Sequence, residues 1–190
     1  MIILAAQSRS RYRRRMQLSN DNFGILISCL VPGATAILGL SLYIEPMRHL
    51  LSFECNNPPT VGGFLYVTAS AIAVGMTVGA VRWATIDNLH RWTGICPPSL
   101  SFKQISERVA AVNLLIEIHY RYYLFYSNQL VATTFAYVCF RIKFPAIGLG
   151  WLDVCYLLLA AVFFAASRDT LRKYYSRLEQ LLSRSSTIMI

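Results

Sequence analysis

The chain is short of charge, and of acids above all. Of 190 residues only 9 are Asp or Glu, and charged residues make up 14%. A soluble domain carries about 25%. The 5 cysteines include no CxxC and no Cys/His pair at zinc spacing, which excludes a disulfide scaffold and a zinc ribbon. Phosphate-binding glycine loops, GxSxG, HExxH and the Rossmann fingerprint are all missing, so the common catalytic and cofactor motifs give no purchase and no cofactor is implied. The two halves do not repeat each other, which removes the inverted repeat of many transporters.

What the chain does have is apolar length. Hydrophobic residues reach 55% and the mean hydropathy is +0.45. No charge falls between Asn22 and Ile44, between Cys55 and Val81, or between Tyr122 and Phe140, and Asp153 stands alone between Lys143 and Arg168. A helix needs about 20 apolar residues to cross the hydrocarbon core. The expectation is an all-α polytopic membrane domain covering 1–190, with four transmembrane helices near 23–44, 62–82, 122–141 and 146–167. The third is the shortest and holds Ser127, Asn128 and Gln129.

Orientation follows from Lys and Arg. Fifteen lie before the first span, between the second and third, and after the fourth; three (Arg48, Arg141 and Lys143) lie in the other two loops. The positive-inside rule places both termini in the cytoplasm, and a bacterial inner membrane is the expected location. The net charge of +9 is then a topology signal that also attracts anionic lipid, and nucleic acid is not an expected partner. Met1–Ala6 is apolar and precedes the arginines, the reverse of a signal peptide. Met16 is an alternative start, and the Ser8–Arg15 run could meet an acidic partner. Only Cys55 would see an oxidising side.

Several features carry local expectations. Pro32-Gly33 predicts a kink in the first span. Ala71, Gly75 and Gly79, four apart, form a ridge for close helix packing, within the chain or between subunits. Pro97-Pro98 ends the helix leaving the second span, and Ser101 to Gln104 reads as a capping box. Ile105, Val109, Val112 and Ile116 then make one amphipathic stripe. That stripe predicts one long helix from about 102 to 141, or two bent near 118–124. Leu171, Tyr174, Leu178 and Leu181 repeat as in a coiled coil and should pack on the 102–118 helix. The result is a cytoplasmic helical part formed by 83–121 and 168–184. Asp169 and Lys173 should pair, as should Asp87 with Arg91 and Glu117 with Arg121.

Asp153 is the one acid inside a predicted span, with Tyr66, Thr68 and Tyr137 at its depth and Arg141 or Lys143 within reach. It reads as a structural cap or as an ion or proton site. Asn128, Gln129 and Thr133, with Ser127 and Thr134, are the residues available to line a pore. Asp87, His90, Glu117 and His119 would resemble an acid–base or metal set if they met across the bundle; the bland alternative is a solvated, salt-bridged face. His49 and Glu45 read as a surface pair. No specific metal ligand set is assigned.

Two functions of different class are consistent with these residues. One is a non-enzymatic membrane subunit, a sensor, anchor or pore-type effector, that self-associates or recruits a cytoplasmic protein from the lipid bilayer. Small four-span proteins of this kind occur in stress and phage-defence operons, although no residue here assigns that role. The other is a membrane-embedded enzyme acting on lipid headgroups through the Asp/His/Glu/His set. A proton- or ion-coupled carrier centred on Asp153 is a third expectation.

Overall fold

The computed structural model describes Gly24 and residues 26–51, 61–98, 105–106 and 108–183, without the side chains of 49–51. All regular structure among them is helical. The elements are α1 (Leu26–Ser41), α2 (Glu45–Leu51), α3 (Val61–Trp92), α4 (Val109–Leu115), a π-helical turn (Ile116–Tyr120), α5 (Arg121–Lys143) and α6 (Trp151–Ser183). Two of these, α3 and α6, are both long and apolar enough to cross a membrane. The α5 helix has 23 residues, enough length, but its Ser, Asn, Gln and Thr residues make it less apolar.

The centre of the bundle is α5. It packs on α1, on α3 through Ala36, Val78 and Ala132, and on α6. The last contact includes Tyr137 and Tyr156, stacked with centroids 3.9 Å apart. The outer faces of α3 and α6 stay bare: only 17% and 11% of their apolar windows are buried. In water such faces would be an aggregation liability; lipid tails solvate them without penalty.

Glycine decides how close α1 and α3 come. A Cβ on Gly33 would sit 1.7 Å from the Ala71 carbonyl oxygen, and one on Gly75 would sit 2.0 Å from that of Cys29. The ridge beginning at Ala71 and Gly75 is therefore filled within the chain, by α1. Farther along α1, a Cβ on Gly39 would meet the Ala136 Cα of α5 at 2.8 Å. So α1 touches α3 and α5 backbone to backbone, and α1 stays helical through Pro32.

At the end of the bundle rich in Arg, here the basic end, α3 stops at a glycine. Gly94 has φ +87°, a conformation glycine adopts freely. The Gly94 N–H donates to the Arg91 carbonyl at 3.1 Å and the Ile95 N–H to that of His90 at 3.0 Å, the two bonds of a Schellman motif. Ile95 is thereby turned in to pack with Tyr123 and Leu171. Pro97-Pro98 comes next, without helix.

The long helix expected over 102–141 runs unbroken from Val109 to Lys143, but with a wide turn inside it. Its predicted capping box at Ser101–Gln104 lies outside the described residues. In a regular α-helix, Tyr120 and Leu124 would point about 80° and 120° away from Val112. A π turn inserts about one residue and rotates the later part of the helix back by about 100°. Val112 and Ile116 can then pack on Tyr174, Leu178 and Leu182 while Tyr120 and Leu124 pack near Leu171 and Tyr175. The tail helix does lie on the stripe of the same chain, with one correction: Val109 is exposed and stands outside it. Lys173 donates to Asp169 at 2.6 Å.

Gly33→Ala is expected to destabilise the detergent-solubilised protein by about 3 kcal/mol or more, since the facing atoms are backbone and cannot yield. Gly79→Ala, whose Cβ would meet only Asn128 Oδ1 at 4.0 Å, should leave stability unchanged or raise it. Thermal midpoints read by size-exclusion chromatography test this; equal midpoints for the two variants would remove α1 from the α3 ridge.

Candidate functional site: polar groups between the helices

Three polar stations lie between helices, and each can be derived from what the local backbone lacks. The first is at Pro32. Proline has no N–H, so the carbonyl four residues earlier, that of Ser28, loses its helical donor. Ser28 is buried, and water cannot compensate. Asn128 of α5 supplies the missing donor, its Nδ2 reaching the Ser28 oxygen at 3.0 Å. One turn along α1, Thr35 donates its own hydroxyl proton to the Val31 carbonyl at 3.0 Å. It accepts from Gln129 Nε2 at 2.9 Å, with Thr133 Oγ1 at 3.4 Å from the same nitrogen. The amide residues that looked available to line a pore are thus turned inward and tie α5 to α1. Both remain more than nine-tenths buried, and Asn128 Oδ1 and Gln129 Oε1 have no protein partner among the described residues.

The second station is the start of α6. Gly150 is the N-cap and Asp153 stands at the third helical position. Its Oδ2 accepts from the Gly150 N–H at 2.7 Å, the acid half of a capping box. Its other oxygen accepts from the Tyr137 hydroxyl and lies 3.7 Å from Arg141 Nη1. Arg141 also donates to the Ile147 carbonyl at 2.8 Å. These contacts satisfy the acid as a helix cap held to α5. Tyr66 is exposed on α3, and Thr68 bonds the Phe64 carbonyl of its own helix.

The third station is the basic end. Asp87 accepts from Arg82 Nη1 at 3.0 Å and from the Tyr123 hydroxyl, and Arg82 lies over the Tyr123 ring at 5.4 Å. The expected Asp87–Arg91 pair is replaced: Arg82 is buried and needs a counter-charge, whereas Arg91 is exposed and water serves it. The cavity beside Asp87 holds about 40 Å³, room for one or two waters.

His90 is 0% exposed, as is Ser167. Its Nε2 lies 3.2 Å from Ser167 Oγ, and that hydroxyl donates to the Phe164 carbonyl at 2.9 Å. The serine oxygen therefore accepts, and His90 carries its proton on Nε2. Phe164 stacks on the ring at 5.4 Å. The pair links α3 to α6, and His90 Nδ1 is left buried without a partner among the described residues. Burial lowers the His90 pKa; Asp87 opposes that shift and Arg168 adds to it.

His119 sits in the π turn with Nε2 2.5 Å from Arg177 Nη1. A guanidinium can only donate, so Nε2 holds the lone pair and the imidazole is neutral. Burial, Arg177 and Lys173 lower its pKa, and Asp169 opposes them. Of the Asp87, His90, Glu117 and His119 set, Asp87 and His90 lie together against Tyr123. Asp87 and His90 serve α3 contacts, His119 faces α6, and no three His, Cys, Asp or Glu among the described residues are placed to hold a metal.

Sequence reasoning missed Ser28, Arg82, Tyr123, Ser167 and Arg177 as partners. For Ser28 a signal existed, its position four before Pro32. No protein-family model, no curated protein and no solved structure matches the chain. The chain is a helical protein with membrane-spanning potential, and its polar interior holds helices together.

Asn128→Leu should cost about 1–3 kcal/mol by orphaning the Ser28 carbonyl. In a Pro32→Ala background most of that loss should vanish, because the helix regains its own donor. A double-mutant cycle on thermal midpoints measures this, and additive losses would break the link. For pH, both histidines have folded-state pKa values below their unfolded value of about 6.5. The unfolded chain binds the extra protons, so their stabilisation is complete above pH ~6.5 and is lost as pH falls below it. His119→Gln should flatten this acid limb in midpoints recorded from pH 8 to 5.

Proposed function

We propose that the chain is a four-span integral membrane protein with both termini in the cytoplasm, acting non-enzymatically as a scaffold subunit. Its spans would be near 23–44, 62–82, 122–141 and 146–167. The part formed by 83–121 and 168–184 would be its cytoplasmic working surface. One observation carries the reading: the interior acid, amide and imidazole candidates are engaged with other helices of the same chain, while the apolar faces of α3 and α6 point outward. Catalysis by Asp87 needs space for a substrate beside it, and the cavity there has room for one or two waters.

Length agrees with the arrangement. A helix of 33 residues such as α6 is about 50 Å long, against a hydrocarbon core of about 30 Å. Roughly its last 15 residues would stand in the cytoplasm, where Leu178 and Leu182 pack on Val112. Trp83 is exposed where α3 would leave the bilayer, a depth that suits tryptophan. The Lys and Arg asymmetry sets the direction.

Thiol labelling of right-side-out and inverted vesicles tests the topology. A membrane-impermeant maleimide should reach exposed Cys96 only in inverted vesicles. Cys55, which lies outside the described residues, should react only in right-side-out ones. Cys96 labelled from outside would overturn the orientation. Native mass spectrometry in nanodiscs then separates the two scaffold modes. A discrete homo-oligomer assigns the bare helix faces to copies of this chain; a clean monomer assigns them to lipid and the basic end to another protein.

A further inference from the structure

A cleft of about 740 Å³ lies between the basic end of α6 and the segment that follows α3. Pockets of about 300–1,000 Å³ hold small organic ligands. One wall is α6, with Arg168 and Arg172 one turn apart and Ser176 one turn further. Tyr175 and Glu179 also line it, and the Gly94 turn faces them. The Schellman bonds at Gly94 and the packing of Ile95 on Tyr123 and Leu171 fix the opposite wall.

The cations here are not engaged as those of the interior are. Arg172 has no hydrogen-bond or ion-pair partner among the described residues, and Arg168 makes one long contact, from Nη2 to the Thr93 carbonyl at 3.4 Å. A guanidinium has five N–H donors, so most of the donors on this wall are unused. The Tyr175 hydroxyl also lacks a protein partner among the described residues, and burial raises its pKa, which keeps it a donor. Glu179 is the one acid in the lining. It stands about two turns beyond Arg172, some 10 Å along the axis.

We propose that this cleft binds a phosphate ester, with Arg168 and Arg172 taking its oxygens, Ser176 and Tyr175 donating beside them, and Glu179 limiting it to ligands with a single phosphate. Paired guanidinium donors match phosphate geometry. The ester has two sources. A lipid headgroup fits if α6 spans the bilayer, because Arg168 directly follows the apolar stretch; that source rests on the four-span reading proposed above. A soluble phosphate ester needs no membrane.

Native mass spectrometry of the delipidated full chain in detergent tests this with three probes: phosphatidylglycerol, diacylglycerol with the same chains, and glycerol 3-phosphate. Discrete adducts with phosphatidylglycerol alone would support the site and assign it to lipid. Adducts with glycerol 3-phosphate would support the site and assign it to a soluble ester. In either case Arg172→Ala should weaken binding about tenfold, as expected for a lost charged hydrogen bond. Arg172→Lys should weaken it less, and Lys143→Ala, which removes an equal charge at the far end of α5, should leave it unchanged. Because Arg172 makes no polar contact of its own among the described residues, its loss should spare the fold, checked by circular dichroism. The native chain should fail to bind pyrophosphate, and Glu179→Gln should gain that binding.

Absence of adducts with either phosphate probe, equal binding of diacylglycerol, or equal loss in Lys143→Ala and Arg172→Ala would overturn the proposal. Failure of the membrane reading would appear separately, in the thiol labelling.

Discussion

A buried carbonyl without a donor costs about 1–3 kcal/mol, because no water reaches it. Pro32 creates such a carbonyl at Ser28, and the amide of Asn128 supplies the donor at 3.0 Å. Much else depends on this bond. It fixes the height of α1 against α5. At that height Gly33 meets the Ala71 backbone and Gly39 meets Ala136. Gln129 falls opposite Thr35. A polar run that makes α5 less apolar than a usual membrane helix is the complement of a proline in its neighbour.

The same constraint governs the basic end. Arg82 is buried, so Asp87 and Tyr123 turn toward it. His90 is buried, and its Nε2 pairs with the Ser167 hydroxyl. His119 is held neutral by a partner that can only donate. These bonds tie α3, the π turn and α6 into one end piece, although Arg82 Nε and His90 Nδ1 are buried there without a partner among the described residues. The unused donors lie on the outside of that piece, on α6. What favours a scaffold with a ligand cleft is that the interior acid, amide and imidazole side chains each bind another helix, while the larger cleft lies outside them, on α6.

The π turn answers a different geometric demand. A regular helix from Val109 to Lys143 would present either its first or its second apolar stripe to α6, but not both. One extra residue in the turn corrects the phase, and it also brings His119 against Arg177. The wide turn is therefore a packing device first, whatever else uses it.

Much of this was legible in the residues. Charge-free runs marked the helices, and period-3.6 spacing marked the seam of Leu171, Tyr174 and Leu178 with its partner stripe around Val112. Four-residue spacing marked the close-packing ridge of Ala71 and Gly75. Asp153 stood out as an acid within a span, read as a structural cap or as an ion or proton site. These are local properties: hydrophobic period, spacing and capping chemistry act over one or two turns, so composition and order suffice. Only the tertiary structure decided which helix fills the glycine ridge, that Asp87 goes to Arg82 and not to Arg91, and that Asn128 and Gln129 face inward. For the same reason His119 turns to Arg177 of α6, while Asp87 and His90 both lie against Tyr123. Each of those outcomes depends on helix rotation and height across tens to about a hundred residues of sequence, where several pairings satisfy the local rules equally. Burial then selects among them, because a polar group sealed from water must take whichever partner the packed backbone brings within 3 Å or so.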